Sequence, residues 1–250
     1  MKIRVLMVLL IFIFCSFLLH SETIKIGYFE LEPYVGGQAG QKPTGASVDY
    51  WEKHLAPQMG VTIEWVGPLT VPRLLKDLES GAIDAIVLMA KNPERASKFL
   101  FPSQPYTTQE ASIVVLKTSP IKKINKIEEL YGLNIGYHAG AFVPPYMKND
   151  KIKIDFTTSE TYKQDNFNKL LKGRIDCIFD VNDISNLIEA KMFGHSDKIR
   201  LIKLPVAPTN IYSLFVNSDR GKSFLAAYEK ANNKLVKQGV YDKLLKAYLK

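Results

Sequence analysis

Arg95 is the residue with the clearest chemical potential, because of what precedes it. Gly81 to Arg95 reads GAIDAIVLMAKNPER. Gly81 is a helix stop, Ile83 to Leu88 an apolar strand, and Asn92-Pro93-Glu94-Arg95 a helix start, with Asn as N-cap and Pro in the first turn. A strand ending at a helix N-terminus offers free N–H groups and the positive end of the helix dipole, and Arg95 adds a planar five-donor fork. That set suits a carboxylate or another small anion. The same residues also fit an ordinary strand–helix junction with a surface arginine. Arg73, in the first turn of its helix, is badly placed for the dipole and favours an anion nearby. Cys177 lies in an apolar strand, Ile175 to Phe179, and reads as a small buried hydrophobe.

Five further segments must position these residues. Ile24 to Tyr28 alternates as a strand, and the Gly- and Pro-rich loop Phe29 to Gly45 carries Glu30, Glu32 and Tyr34. A loop of that length in a compact domain is a candidate functional loop. Val48 to Met59 reads as a helix stopped by Gly60, Val61 to Val66 as a strand, and Pro72 opens a helix closed by Gly81. Strand and helix alternating in this way predict a parallel sheet covered by helices.

The pattern then recurs. Leu133-Asn134-Ile135-Gly136-Tyr137 repeats the Ile-Gly-Tyr of Ile26 to Tyr28. Phe167, Leu170, Gly173, Ile175, Asp176 and Ile178 repeat the spacing of Leu75, Leu78, Gly81, Ile83, Asp84 and Ile86. Asp84 and Asp176 share a motif and read as structural. Two extended stretches, Pro105 to Lys117 and Pro205 to Val216, follow the two blocks as crossings, and the helical segment Phe224 to Leu249, broken at Gly239, returns to the first lobe. The expected organisation is two α/β lobes, residues 22–110 with 211–250 and residues 111–210, with a hinge and a cleft that closes on a ligand.

Composition narrows the function. Lys2 and Arg4 precede an apolar run, Val5 to Leu19, and a polar zone at His20-Ser21-Glu22, the layout of a secretory signal peptide over residues 1–21. An uncleaved anchor is the alternative, and Phe14 before Cys15 argues against a lipid anchor. Loss of Lys2 and Arg4 lowers the formal charge from +8 to about +6. The lysines are scattered, so no nucleic-acid partner is expected. No P-loop, dinucleotide fingerprint or metal motif occurs, and no cofactor or metal is expected.

With these segments in order, the chain resembles the family 3 extracellular solute-binding proteins, the amino-acid type that feeds ABC transporters. The resemblance rests on Ile26-Gly27 with Pro33-Tyr34, Gly45 to Asp49, the Leu78 to Asp84 motif, and Asn92 to Arg95 with Phe101 and Pro105-Tyr106. In the second half it rests on Ile127, Leu130 and Gly132, Gly136 and Gly140, Gly173 to Asp176, and Gly239 to Leu244. It implies the two-lobed type II periplasmic binding-protein fold, a monomer in the periplasm, a small-molecule ligand and an ABC permease as partner. It places the carboxylate-clamping arginine on Arg95, with a backbone N–H at Ala90, and the ammonium-holding acid at Val181, flanked by Asp180 and Asn182.

The chain departs from the family where Leu88-Met89-Ala90-Lys91 and Ala141 to Pro145 lack hydroxyls. Tyr28, Glu30, Tyr34, Trp65, Arg73, Tyr106 and Phe142 are the aromatic and charged candidates in their place, a set that suits a larger or partly apolar anionic ligand. The resemblance also admits two alternatives: a sensor or adaptor that signals through a membrane partner, and a lyase or dehydratase using Glu30 or Glu32 with Asp180 or His138.

Overall fold

The computed structural model describes residues 21–37, 40–159 and 161–249. Residues 1–20, which hold most of the expected signal peptide, lie outside that range, and among the described residues no helix is long and apolar enough to cross a membrane.

Two five-stranded sheets form, and both follow one plan. The first contains β1 (Glu22–Gly27), β2 (Val61–Val66), β3 (Ala85–Ala90), β4 (Thr107–Gln109) and β10 (Thr209–Phe215), ordered β2-β1-β3-β10-β4. The second contains β5 (Ser112–Leu116), β6 (Asn134–His138), β7 (Lys153–Thr157), β8 (Cys177–Asp180) and β9 (Ile199–Lys203), ordered β7-β6-β8-β5-β9. In each, the first three strands of that order are parallel and the last two are added antiparallel. The chain crosses between the sheets twice, after Gln109 and after Lys203, and Leu204 N–H donates to Ala111 C=O at 2.9 Å to tie the crossings together.

The repeated motif explains itself in this frame. Asp84 N–H donates to Lys25 C=O while the Asp84 carboxylate accepts from Lys25 N–H at 2.8 Å. Asp176 does the same with Asn134, its carboxylate accepting at 2.7 Å. Each aspartate therefore latches the end of a helix–Gly–strand unit to the middle one of its lobe's three parallel strands, β1 or β6. Because Asp84 is spent on this latch, β3 starts at Ala85 and runs on to Ala90, two residues later than the apolar pattern predicts. Gly27 and Gly136 serve close packing: a Cβ there would lie 2.6 Å from the Ile83 and Leu74 side chains, or 2.5 Å from that of Ile175.

Helix α1, residues 46–59, contains a π-helical stretch, Tyr50–Leu55, and ends at Gly60 in the left-handed region. It presses Tyr50 and Trp51 into an aromatic core completed from the chain's other end. Trp51 meets Tyr228 of α6 (Asp219–Lys237) at 5.3 Å between ring centres, and Tyr50 meets Tyr241 of α7 (Val240–Tyr248) at 5.3 Å. The C-terminal helices thus cover the first sheet. The remaining helices are α2 (Val71–Glu79), α3 (Pro93–Lys98), α4 (Tyr162–Leu171) and α5 (Asp183–Met192). Cys177 is fully buried in β8, and burial pushes its thiol up to about 12, so it is an inert core residue.

Candidate functional site

A cavity of about 120 Å3 lies between the lobes. Its walls come from the ends of β3 and β4 with α3 on one side, and from the ends of β6 and β8 with the start of α4 on the other. It shares Arg95 and Phe142 with a wider outer groove of about 700 Å3.

Arg95 reaches this cavity by a route the sequence anticipated only in part. Asn92 caps α3, its Oδ1 accepting from Arg95 N–H at 2.7 Å. The helix has only six residues and its cap donor is taken, so its N-terminus is no independent anion seat. What remains is the side chain. Arg95 Nη1 donates to Ala90 C=O at 2.9 Å, which steers the guanidinium along the end of β3. Among the described residues no carboxylate lies within ion-pair distance of it, and burial lowers its pKa from the ordinary value. A half-buried, unpaired guanidinium gains by meeting an anion. Ala90 also lines the cavity, and its carbonyl orients Arg95.

Leu88, in the same wall, has φ 62°, an unfavourable left-handed backbone for a leucine. The β3–β10 register shifts between Tyr212 and Leu214, opposite it. Leu88 N–H, turned out of the ladder, donates to the Tyr106 hydroxyl at 3.2 Å. Tyr106 therefore stands behind the wall and shapes it.

Asp180 ends β8 on the other lobe. Its carboxylate accepts from Asn182 N–H at 2.9 Å, and its open face looks into the cavity instead of bulk water. Burial, then the nearby Glu189 carboxylate, raises its pKa to about 7. A cation placed beside it relieves that penalty. Asn182 caps α5, its Oδ1 accepting from Ile184 N–H at 3.1 Å and Ser185 N–H at 3.3 Å. The same oxygen accepts from the Tyr34 hydroxyl at 3.0 Å, a bond that joins the lobes. Between Asp180 and Asn182, Val181 packs into the second core, so the flanking residues are the polar ones at this edge. His138 stacks on Tyr162 at 4.0 Å, and burial followed by the Lys163 charge lowers its pKa, keeping it neutral.

Of the eleven residues singled out in the sequence, Arg95, Ala90, Phe142, Asp180 and Asn182 line one cavity. Phe142 also packs against the first lobe's core. Tyr34 and Tyr106 stand one layer behind. The other four lie elsewhere. Tyr28 is buried edge-on against Trp65 at 6.1 Å, and the Trp65 indole donates to Glu52 at 3.0 Å. Glu30 is exposed, and Arg73 is an exposed surface residue paired with Asp77 at 2.9 Å, one helical turn on, which answers its misplaced charge. The cavity also contains Gln109, Tyr137 and Tyr162, which sequence reading did not select. Gln109 had one available signal: a polar side chain in the first crossing.

No curated protein sequence matches the chain. Among solved structures, an ancestral arginine-binding protein bound to arginine shares 21% identity, with 91% of this chain and 98% of that one covered at a TM-score of 0.73. An amino acid ABC transporter substrate-binding protein from Streptococcus pneumoniae, bound to L-arginine, shares 16% identity over 90% and 94% of the two chains, at a TM-score of 0.70. The VFT2 domain of BvgS from Bordetella pertussis, a double mutant, shares 17% identity over 90% and 93%, at a TM-score of 0.74. These likenesses establish the two-lobed periplasmic binding-protein fold. Residues 24–250 match the family described as bacterial extracellular solute-binding proteins, family 3, and the chain belongs to that family.

Proposed function

We propose that this protein captures a small carboxylate-bearing solute, an amino acid or a related carboxylate, between its lobes and delivers it from the periplasm to an ABC transporter. The observation that carries the reading is one cavity with an unpaired guanidinium, Arg95, on one lobe and a half-buried carboxylate, Asp180, on the other. Arg95 takes the ligand carboxylate and Asp180 an ammonium. A zwitterion bridging the two gains contacts that exist only when the lobes are together, and that differential affinity is what drives closure. The arginine in two of the structural relatives has both groups at its α-carbon. The solute is engaged as a carboxylate, whatever charge the rest of it carries.

A carboxyl group titrating near 7 is also what general acid–base chemistry requires. A lyase would need a second group positioned with it. Glu30 and Glu32 are exposed and outside the cavity, which leaves neutral His138. The binding reading needs no such pair and is preferred. Calorimetric titration of the mature protein with amino acids and other carboxylates, followed by mass spectrometry of the recovered ligand, tests it. Saturable binding with the ligand unchanged is expected. Turnover, or no binding by any carboxylate, refutes it.

A further inference from the structure

The side-chain nitrogens of two buried amides in the cavity have no partner among the described residues. Asn182 is 1% exposed and Gln109 5% exposed, both line the cavity, and neither Asn182 Nδ2 nor Gln109 Nε2 has a hydrogen-bond partner among the described residues. The orientation of Asn182 is determined by its surroundings. Its Oδ1 collects three donors, the Tyr34 hydroxyl, Ile184 N–H and Ser185 N–H, and reversing the amide would set its N–H2 against the two backbone donors. Two N–H donors of Asn182 are therefore left without acceptors. Neither Arg95, itself a donor, nor Asp180, which accepts from the Asn182 backbone, is hydrogen-bonded to that nitrogen. A buried donor without an acceptor is costly, so a group brought into the cavity is favoured if it supplies one.

Resting on the reading above, we infer that the ligand is a small amino acid whose short, uncharged side chain ends in a hydrogen-bond acceptor, read by Asn182 and Gln109. Size and charge both lead there. The cavity, about 120 Å3, is well below the roughly 300–1,000 Å3 of drug-sized pockets. A long side chain would have to leave it for the outer groove beside Arg95 and Phe142. Arg95 and Asp180 balance a zwitterion's two charges, His138 is neutral, and the remaining polar side chains, the amides of Gln109 and Asn182 and the phenols of Tyr137 and Tyr162, are uncharged. A second carboxylate on the ligand would enter without a counter-charge. A carboxamide or hydroxyl oxygen supplies the acceptor at no charge. Asn182 and Gln109 then act as specificity-determining residues, one on each side of the cleft.

The test is calorimetric titration of the mature chain with asparagine, serine, alanine, aspartate and arginine. Asparagine or serine is expected to bind at least about tenfold more tightly than alanine, the same backbone without an acceptor, and asparagine more tightly than aspartate. Gln109→Met removes one amide at nearly constant volume. Asn182→Asp keeps the cap and the acceptor for Tyr34 while removing the donor. Each is expected to cut the asparagine-to-alanine ratio about tenfold. Alanine binding as tightly as asparagine, or a ratio that survives both variants, overturns the inference. Preference for arginine overturns it too, yet leaves the amino-acid reading standing. No binding by any of the five, nor by simple carboxylates, overturns both.

Discussion

Replacing Asp180 with Asn separates what this carboxylate does for folding from what it does for binding. Its pKa rises from 3.8 in the free side chain to about 7, chiefly by burial. A raised carboxylate pKa means that the folded state holds the proton more tightly than the unfolded chain. Its contribution to stability is therefore present at acid pH and is lost as pH rises from 3.8 towards 7. At about 1.4 kcal/mol per unit, the ionised form costs the closed structure up to about 4 kcal/mol above neutrality. Opening of the lobes relieves part of this. The amide variant carries no charge to desolvate, and its side-chain oxygen still accepts from Asn182 N–H. Urea midpoints followed by intrinsic fluorescence between pH 4.5 and 8.5 measure the effect. Asp180→Asn is expected to lie nearest the wild type at pH 4.5, to exceed it increasingly up to about pH 7 and to hold that margin to pH 8.5, while losing affinity for an ammonium-bearing ligand. A stability gap that is flat with pH, or a variant less stable at pH 8.5, refutes the assignment of a buried, charge-starved carboxylate.

Proton release on binding is the companion expectation: if a ligand ammonium returns Asp180 to a low pKa, titration at pH 6.5 in buffers of different ionisation enthalpy should show release of about 0.8 proton per ligand. Arg95→Ala removes charge-assisted bonds to the ligand carboxylate and should weaken binding by about 3 kcal/mol, over a hundredfold. The same change deletes one internal hydrogen bond, to Ala90, so stability should fall by only about 1 kcal/mol. Calorimetry and thermal denaturation on one preparation distinguish the two effects. Tyr34→Phe removes the bond that joins the lobes, leaving the Asn182 cap intact. Affinity should drop about fivefold, for a loss of about 1 kcal/mol from the closed state, and small-angle scattering should show a more open ligand-free protein.

Periodicity and punctuation carried most of the architecture. Gly81 and Gly173 mark helix stops, the apolar runs after them are strands, and the twice-used Ile-Asp reads as structural, which the paired latches Asp84–Lys25 and Asp176–Asn134 show it to be. Arg95 was legible because a capping residue and a proline announce the helix that carries it. The rest of the site was less so. Tyr28, Trp65 and Arg73 are the right chemistry at strand ends and helix starts. Whether such a side chain faces a cleft, a core or solvent depends on partners far away in sequence: Glu52 for Trp65, and the whole opposite lobe for the cavity. Gln109 was passed over for the same reason, since its burial exists only once both crossings and both sheets are assembled.

The sequence alone determined the local vocabulary, namely which segments become strands and helices, where they stop, and that one arginine follows a capped turn at a strand end. These depend on neighbours within a few positions. The tertiary structure decided which polar groups converge. It set Asp180 opposite Arg95, turned Leu88 out of its ladder onto Tyr106, and spent the Asn182 oxygen on a cap and on Tyr34 while leaving its nitrogen free. Burial and hydrogen-bond satisfaction are properties of the assembled molecule, and they make those residues the candidate site.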